Sequence, residues 1–439
     1  MLVVATSAAC GESASAPDPI TTRTCDQSGP VLLRAGKPFD PAPTQVRRLA
    51  LERVLDDGRL LISDVSPEGG GLFVVEACGG ESIEVPREGI VRGGGAALWI
   101  EDGERVGYWP VAAGGEVEWT EGERAVGYVA GVGLAVWDAA SEEVRLRTGP
   151  DAGTMLFAPP IRLNDSSFIS PTYAAAAVQS AGTVIGVLDL DDRLHVADGA
   201  SAGQGLVVDD VLEFALSPTG RTVLVELRPG EQPTMLRAYD RISGAVTEVG
   251  NERAAPGHFR GPYGVFDVGV YDPDTTSLVP YPAGIDDPLY YGGSIMIDAG
   301  AGVRWDVATG ETTALDELAP EPRTFGHGPD YDYPPFSPSA SGAAERRHDI
   351  TVVPFDGSAP FVVEVATRVF TLPSGATVFH NGELGEDVPL FEPLYAVGAD
   401  GEPGLLEEAA GAFWVLPEGD LVVEVQDGER SGLYRVGLP

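Results

Sequence analysis

The stretch RWDVATGETTAL, residues 304–315, decides how the chain is read. An aromatic-Asp pair closes a short apolar strand, Ala-Thr-Gly makes a turn, and a second alternating run follows. Within the stretch, Asp is placed to accept hydrogen bonds from turn amides, while a small residue or glycine lets the backbone reverse. The same order recurs in VWDAASEEVRL (136–146), AYDRISGAVTEV (238–249) and VYDPDTTSLVPY (270–281), each with Ser or Thr four residues after the aromatic. Four copies imply a repeated hairpin, in which Trp137, Tyr239, Tyr271 and Trp305 are packing residues.

A second set of turns runs between these copies. LDDGRLLI (55–62), IEDGERVGY (100–108), TEGERAVGY (120–128), SPTGRTVLV (217–225), LPSGATVFH (372–380) and LPEGDLVVEV (416–425) place Gly before an apolar strand. Glycine accepts the positive φ of a tight turn. Distances between copies suggest a period of roughly 45–50 residues, the length of a four-stranded propeller blade. The copies at 239, 271 and 305 are closer, so either some blades are short or one hairpin pattern recurs within a blade. Long helices are missing. The short candidates are TTALDELA (312–319) and GLLEEAAGAF (404–413), which read equally as turns or strand edges.

LSPTGRTVLVEL followed by MLRAYDRISGAVTEV resembles one blade of the TolB-like and WD-repeat β-propellers. That resemblance implies an all-β fold: a single propeller of seven or eight four-stranded blades over residues 46–439. Only Gly257-His258 precedes an aromatic-Asp pair as the Gly-His dipeptide of true WD repeats does, so the resemblance is to the looser, exported bacterial branch, whose members are often scaffolds. The ring is expected to close by joining the C-terminal GLYRVGLP (432–439) to the hairpin LALERVLDDGRLLISDV (49–65) in one blade, which removes exposed sheet edges.

Composition narrows the function. The chain has 28 basic and 67 acidic residues, net charge −39, and Lys37 is the only lysine. That field repels phosphate backbones and anionic lipid head groups, so a nucleic-acid partner is not expected. With 43% hydrophobic residues, 57 glycines and 36 prolines, the chain is globular and rich in turns.

The N-terminal MLVVATSAACGES resembles the end of a bacterial lipoprotein signal: an apolar run, small residues, then Cys10 as the lipidated position. It lacks a basic n-region, and Ser7 stands where such signals prefer leucine. The resemblance implies a signal remnant over 1–10, an exported protein lipid-anchored at the periplasmic or surface face of the outer membrane, and no other membrane contact. Removing Cys10 leaves Cys25 and Cys78, an even pair expected to form a disulfide outside the cytosol; in a cytosolic protein they would be two thiols. Residues 11–45, rich in Pro, Ser, Thr and Asp, read as an extended tether.

Chemistry is sparse. The five histidines show no metal-ligand spacing, and there is no Gly-x-Ser-x-Gly elbow, phosphate loop or Cys-x-x-Cys, so no catalytic residue is nominated. Calcium is the one cofactor left open, with Asp189, Asp191, Asp272 and Asp274 as candidate ligands outside any full calcium-loop signature. The segment 321–349 reads as an insertion whose Phe325, Tyr331, Tyr333 and Phe336 are partner-binding candidates. Two functions stay open. One is a non-catalytic scaffold, monomeric outside its complex, binding another envelope protein. The other is a hydrolase acting on saccharides or peptides through carboxylates at a channel mouth.

Overall fold

A computed structural model describes residues 25, 29–36, 49–64, 70–87, 89–151, 153–163, 178–199, 205–228, 235–250, 258–260, 262–266, 268–285, 288–292, 294–298, 302–314, 348–352, 361–366, 368–371, 377–380, 392–397, 403–417, 419–426 and 430–438. In RWDVATGETTAL, strand Val303–Asp306 turns back into strand Thr312–Ala314, with Trp305 opposite Thr312. Asp306 Oδ1 accepts from the Ala308 amide at 3.0 Å and from the Ser294 hydroxyl at 2.7 Å. Trp305 is buried between this sheet and the one before it. The stretch is therefore one hairpin and also one copy of a repeat. Asp138, Asp240 and Asp272 hold their turns in the same way, through the amides of Ala140 at 2.8 Å, Ser243 at 2.8 Å and Asp274 at 2.9 Å.

Every described element of regular structure is a β-strand except for a single 3₁₀ residue, Arg430. Seven four-stranded antiparallel meanders follow one another over residues 49–84, 90–121, 123–155, 178–208, 211–250, 258–280 and 289–314. Their first strands begin at 49, 90, 123, 178, 211, 258 and 289, giving intervals of 41, 33, 55, 33, 47 and 31 residues. The expected period of 45–50 is thus too long and too regular. The reason is visible in the hairpins. Tyr239, Tyr271 and Trp305 each end the third strand of their sheets, so their close spacing reflects short sheets, whereas Trp137 ends a second strand. Gly58, Gly220 and Gly419, with φ of 81°, 66° and 99°, turn a first strand into a second, but Gly103 turns a second into a third.

Sheets in succession pack face to face, each pair sealed by its own apolar core. Leu61, Val74 and Leu98 join the first to the second, and Trp99, Ala125 and Leu134 the second to the third. Val144, Ile185 and Val187 join the third to the fourth, and Val196, Phe214 and Val225 the fourth to the fifth. Leu224, Phe259 and Tyr271 join the fifth to the sixth, and Val265, Met296 and Trp305 the sixth to the seventh. First strands also touch in sequence: Glu123–Val129 lies against Ile90–Gly94 and Val178–Ala181, and the latter against Val211–Leu216. Sheets stacked on their faces with first strands innermost make a β-propeller-like fold.

The C-terminal sheet differs. It has seven strands, and its 13-residue strand Pro403–Val415 pairs with Glu392–Val397 through its first half and with Leu421–Val425 through its second. Divided at Ala410, where pairing changes partner, it is two four-stranded halves. The segment 404–413, a short helical candidate in the sequence, lies within this strand, and Thr312–Ala314 of the other candidate is a strand as well. The described residues thus hold nine four-stranded units and a separate hairpin, His348–Val352 with Phe361–Ala366, rather than seven or eight blades.

The last half-sheet is completed from the other end of the chain. Val31–Ala35 pairs antiparallel with Gly432–Val436, Val31 lying opposite Arg435. The stretch 11–45 is therefore not a tether throughout: VLLRA alternates, with Val31 and Leu33 buried, and adds an edge strand. The hairpin 49–65 does not join the C-terminal strand in one blade either, since it begins a separate sheet. The two sheets instead pack together through Leu33, Leu49, Ile62, Trp414 and Val422. A disulfide between Cys25 and Cys78, with Cα atoms 5.4 Å apart, fastens the N-terminal segment to the turn after strand Gly71–Val75.

Candidate functional site

Carboxylates come first, because the sequence is rich in them. Asp189 is buried; its Oδ1 accepts from the amides of Asp191 at 2.8 Å and Arg193 at 3.1 Å, and its Oδ2 lies 2.8 Å from His195 Nε2. Asp191 pairs with Arg162 Nε at 3.1 Å. Asp272 accepts from the Asp274 amide and the Thr275 hydroxyl, both at 2.9 Å, and Asp274 takes Arg221 Nη1 at 2.9 Å. The calcium candidates are therefore turn and ion-pair residues whose oxygens already face donors. Among the described residues no group of three or more His, Cys, Asp or Glu is placed to hold a metal ion.

The aromatic-Asp carboxylates show how strongly the turns use charge. Burial alone would raise the pKa of Asp240, but the Ser243 amide and hydroxyl and the Arg221 guanidinium outweigh it and hold the carboxyl below its usual range. Asp138 and Asp306 are depressed for the same reason, by their turn amides and by the hydroxyls of Ser141 and Ser294.

Across the first three sheets runs a polar network. Asp56, in the turn of the first sheet, accepts from the Tyr128 hydroxyl and from the Gly131 amide at 2.7 Å, both in the third. Arg53 donates to the Arg92 carbonyl; Arg92 Nε bonds Glu101 Oε2 at 2.6 Å, and Glu101 Oε1 accepts from the Ala125 amide at 3.0 Å. Burial and then the Asp56 contact push the Tyr128 phenol far above its ordinary pKa, while burial lowers that of Arg53. Donors and acceptors match here, so the network ties first strands together. Its one hydroxyl beside a carboxylate, Tyr128 on Asp56, is held protonated by burial and that contact.

Glu213 is raised by burial and by Glu226, its partner across the ladder. This is a pair of neighbouring carboxylates, the kind of group the hydrolase reading requires.

A cleft of about 290 Å³ lies between the fourth and fifth sheets. Strand Leu206–Val208 and the turn after it form one wall, and Leu227, Met235, Arg237 and Tyr239 form the other. Period-two alternation puts Met235, Arg237 and Tyr239 on one face of strand Met235–Asp240. Arg237 is half-buried. Among the described residues no hydrogen bond or ion pair reaches it, although Glu248 is its ladder partner and Asp209 and Asp210 line the same cleft. The sequence reading passed over Arg237, yet its alternation with Met235 and Tyr239 in MLRAYD is the signal that places it on the cleft face.

Cys10, Phe325, Tyr331, Tyr333 and Phe336 lie outside the described residues. Of the proposed insertion, only residues 348 and 349 are described, at the start of strand His348–Val352.

No protein-family model matches the chain, and no curated protein matches it. Solved structures similar in outline include a eukaryotic initiation factor, at 13% identity and a TM-score of 0.40 over 85% of this chain and 95% of that one. Hsv2 of Kluyveromyces lactis is similar at 11% identity and 0.30 over 57% and 86%. The computationally designed protein Ika8 is similar at 11% identity and 0.31 over 93% and 99%. At these TM-scores the likeness carries no argument about what the chain does.

Proposed function

We propose that this protein is an exported β-propeller of the looser TolB-like, WD-related type, held at the bacterial cell envelope by a lipid on Cys10, where it serves as a non-catalytic scaffold for another envelope protein. The observation that carries this reading is the state of its reactive-looking side chains. Asp138, Asp189, Asp240, Asp272 and Asp306 are engaged by turn amides, hydroxyls, guanidiniums or an imidazole within their own or adjoining sheets. Carboxylates fixed in this way stabilise turns and are poorly placed to move protons. The Cys25–Cys78 disulfide supports export, because such bonds persist in oxidising compartments.

Affinity capture from solubilised membranes tests the scaffold role. The intact protein is expected to retain an envelope protein, and deletion of residues 325–336 is expected to release it. Equal recovery by both proteins removes the insertion from the binding surface. For the anchor, Cys10→Ser is expected to move the protein from the membrane to the soluble fraction; an unchanged distribution overturns lipidation.

The hydrolase reading has Glu213 and Glu226 in its favour, since cross-strand partners stand with their Cβ atoms about 5 Å apart on one face of the sheet. It stands second because neither glutamate lines the cleft between the fourth and fifth sheets.

A further inference from the structure

The disulfide between Cys25 and Cys78 closes a loop that holds strand Val31–Ala35 and the first three strands of the first sheet, Leu49–Val54, Leu60–Asp64 and Gly71–Val75. Tension applied to the chain ahead of Cys25 therefore has a covalent route to Cys78 that leaves out every residue between them. This follows from connectivity alone.

The two places where such tension could enter the body differ in strength. Val31–Ala35 is an edge strand: among the described residues it is laddered on one side only, to Gly432–Val436, with a register break between Leu32 and Arg34, and Leu32 is 44% exposed. Loaded from its N-terminal end, a strand of this kind gives up its pairs in succession, each hydrogen bond contributing only about 1 kcal/mol. The turn that carries Cys78 is built into the body instead. Ala77 is buried in the core shared by the first and last sheets, and its carbonyl accepts from Arg435 Nη1 of the last strand at 3.3 Å. Arg435 is itself buried and donates through Nε to Asp420 Oδ2 at 2.7 Å. The Gly79 amide closes the turn on the Glu76 carbonyl at 3.0 Å. A pull that arrives at Cys78 is thus shared between two sheets.

We propose that the Cys25–Cys78 disulfide is a strain relief for a membrane-held N-terminus. Load between the anchor and the body passes through the bridge into the turn at Cys78, and the edge strand and the seam it completes carry none of it. A scaffold held by a lipid at one end and by a partner at the other is loaded along this line. The inference rests on the reading of a lipid anchor at Cys10 and goes beyond it by giving the disulfide a mechanical role.

Single-molecule force spectroscopy on the purified, unlipidated full chain tests the proposal, with one handle on the Cys10 thiol and the other at the C-terminus. The wild type is expected to show no step before its sheets rupture. The Cys25→Ser, Cys78→Ser double variant is expected to gain a low-force step of up to about 80 Å, the extended length of residues 25–48 at roughly 3.5 Å per residue, as Val31–Ala35 peels away first. Moving the handle to Glu81→Cys in a Cys10→Ser background, at an exposed position just beyond the bridge, is expected to reproduce the first rupture force of the wild type. Serine at 25 and 78 is expected to leave that force unchanged. The comparison of the Cys10 and position-81 handles needs only disulfide-bonded protein, so the test stands if circular dichroism shows the double variant unfolded. An early step in the wild type, or a first rupture from Cys10 weaker than from position 81, overturns the proposal. Equal weakening by the serine substitutions in both pulling geometries also overturns it and makes the disulfide a general stabiliser. Because the Cys10 handle is attached chemically, none of these outcomes depends on lipidation, which the fractionation of Cys10→Ser decides separately.

Discussion

The third-to-fourth-strand hairpins and the seam between the first and last sheets are held in opposite ways. In the hairpin after Tyr239, Asp240 Oδ1 takes the Ile242 amide at 3.0 Å and the Ser243 amide at 2.8 Å, both within three residues, and Oδ2 takes Arg221 from the same sheet at 2.7 Å. At the seam, Val31 pairs with Arg435, 404 positions later; Arg34 bonds Ser82 at 3.0 Å and stands over Phe73; Cys25 is joined to Cys78. A local turn needs only its own residues and forms wherever the pattern occurs. A seam must bring distant segments together against chain entropy, and it does so here with a covalent bond, an added strand and a shared core. The same strategy never appears within a hairpin, where closure entropy is small.

Breaking the seam should therefore be the costliest change. Cys78→Ser opens a cross-link spanning 53 residues and is expected to lower unfolding stability by about 4 kcal/mol, seen as a reduced urea midpoint. A reducing agent should produce the same shift in the wild type and none in the variant. A midpoint unchanged by either would show that strand and core hold the seam alone.

Gly79 sharpens the same point at a smaller scale. Its φ is +76°, and a Cβ there would stand 2.7 Å from the Leu32 carbonyl oxygen of the N-terminal strand. Gly79→Ala is expected to cost about 2 kcal/mol through strain and displacement of that strand. Equal loss in a protein already lacking Cys25 and Cys78 would separate the strand from the disulfide, whereas no loss in that background would make them one cooperative unit.

The hairpin side should yield the smallest effect. Asp240→Asn removes one charge from one turn and is expected to cost about 1 kcal/mol at pH 7. Because the folded pKa of Asp240 is held below its unfolded value of about 3.9, its stabilisation is complete above that pH and fades as the pH falls through the folded value. Wild type and variant should converge in urea midpoint once the pH has fallen through the lowered folded value; a gap that persists there would mean that shape, and not charge, fixes the turn.

The hairpins were legible because aromatic, Asp and Ser or Thr stand at fixed short offsets, and the structure places those Asp carboxylates on turn amides. Sheet length was not, because the same hairpin closes a second strand at Trp137 and a third strand at Trp305, and the offsets are blind to which. The strand Val31–Ala35 was hidden by proline on either side and by a partner at the far end of the chain. The cleft was half-legible: alternation puts Arg237 with Met235 and Tyr239, but whether an acid answers it depends on how side chains meet between sheets.

The sequence by itself determined an all-β chain of glycine- and aspartate-turned hairpins, since such turns depend on backbone sterics and hydrogen bonds among residues a few positions apart. The tertiary structure alone decided where each sheet ends, which strand completes the last one, and that Arg237 shares a cleft with Asp209 and Asp210. Those outcomes depend on which faces and edges pack against each other across the whole chain, and no local spacing encodes them.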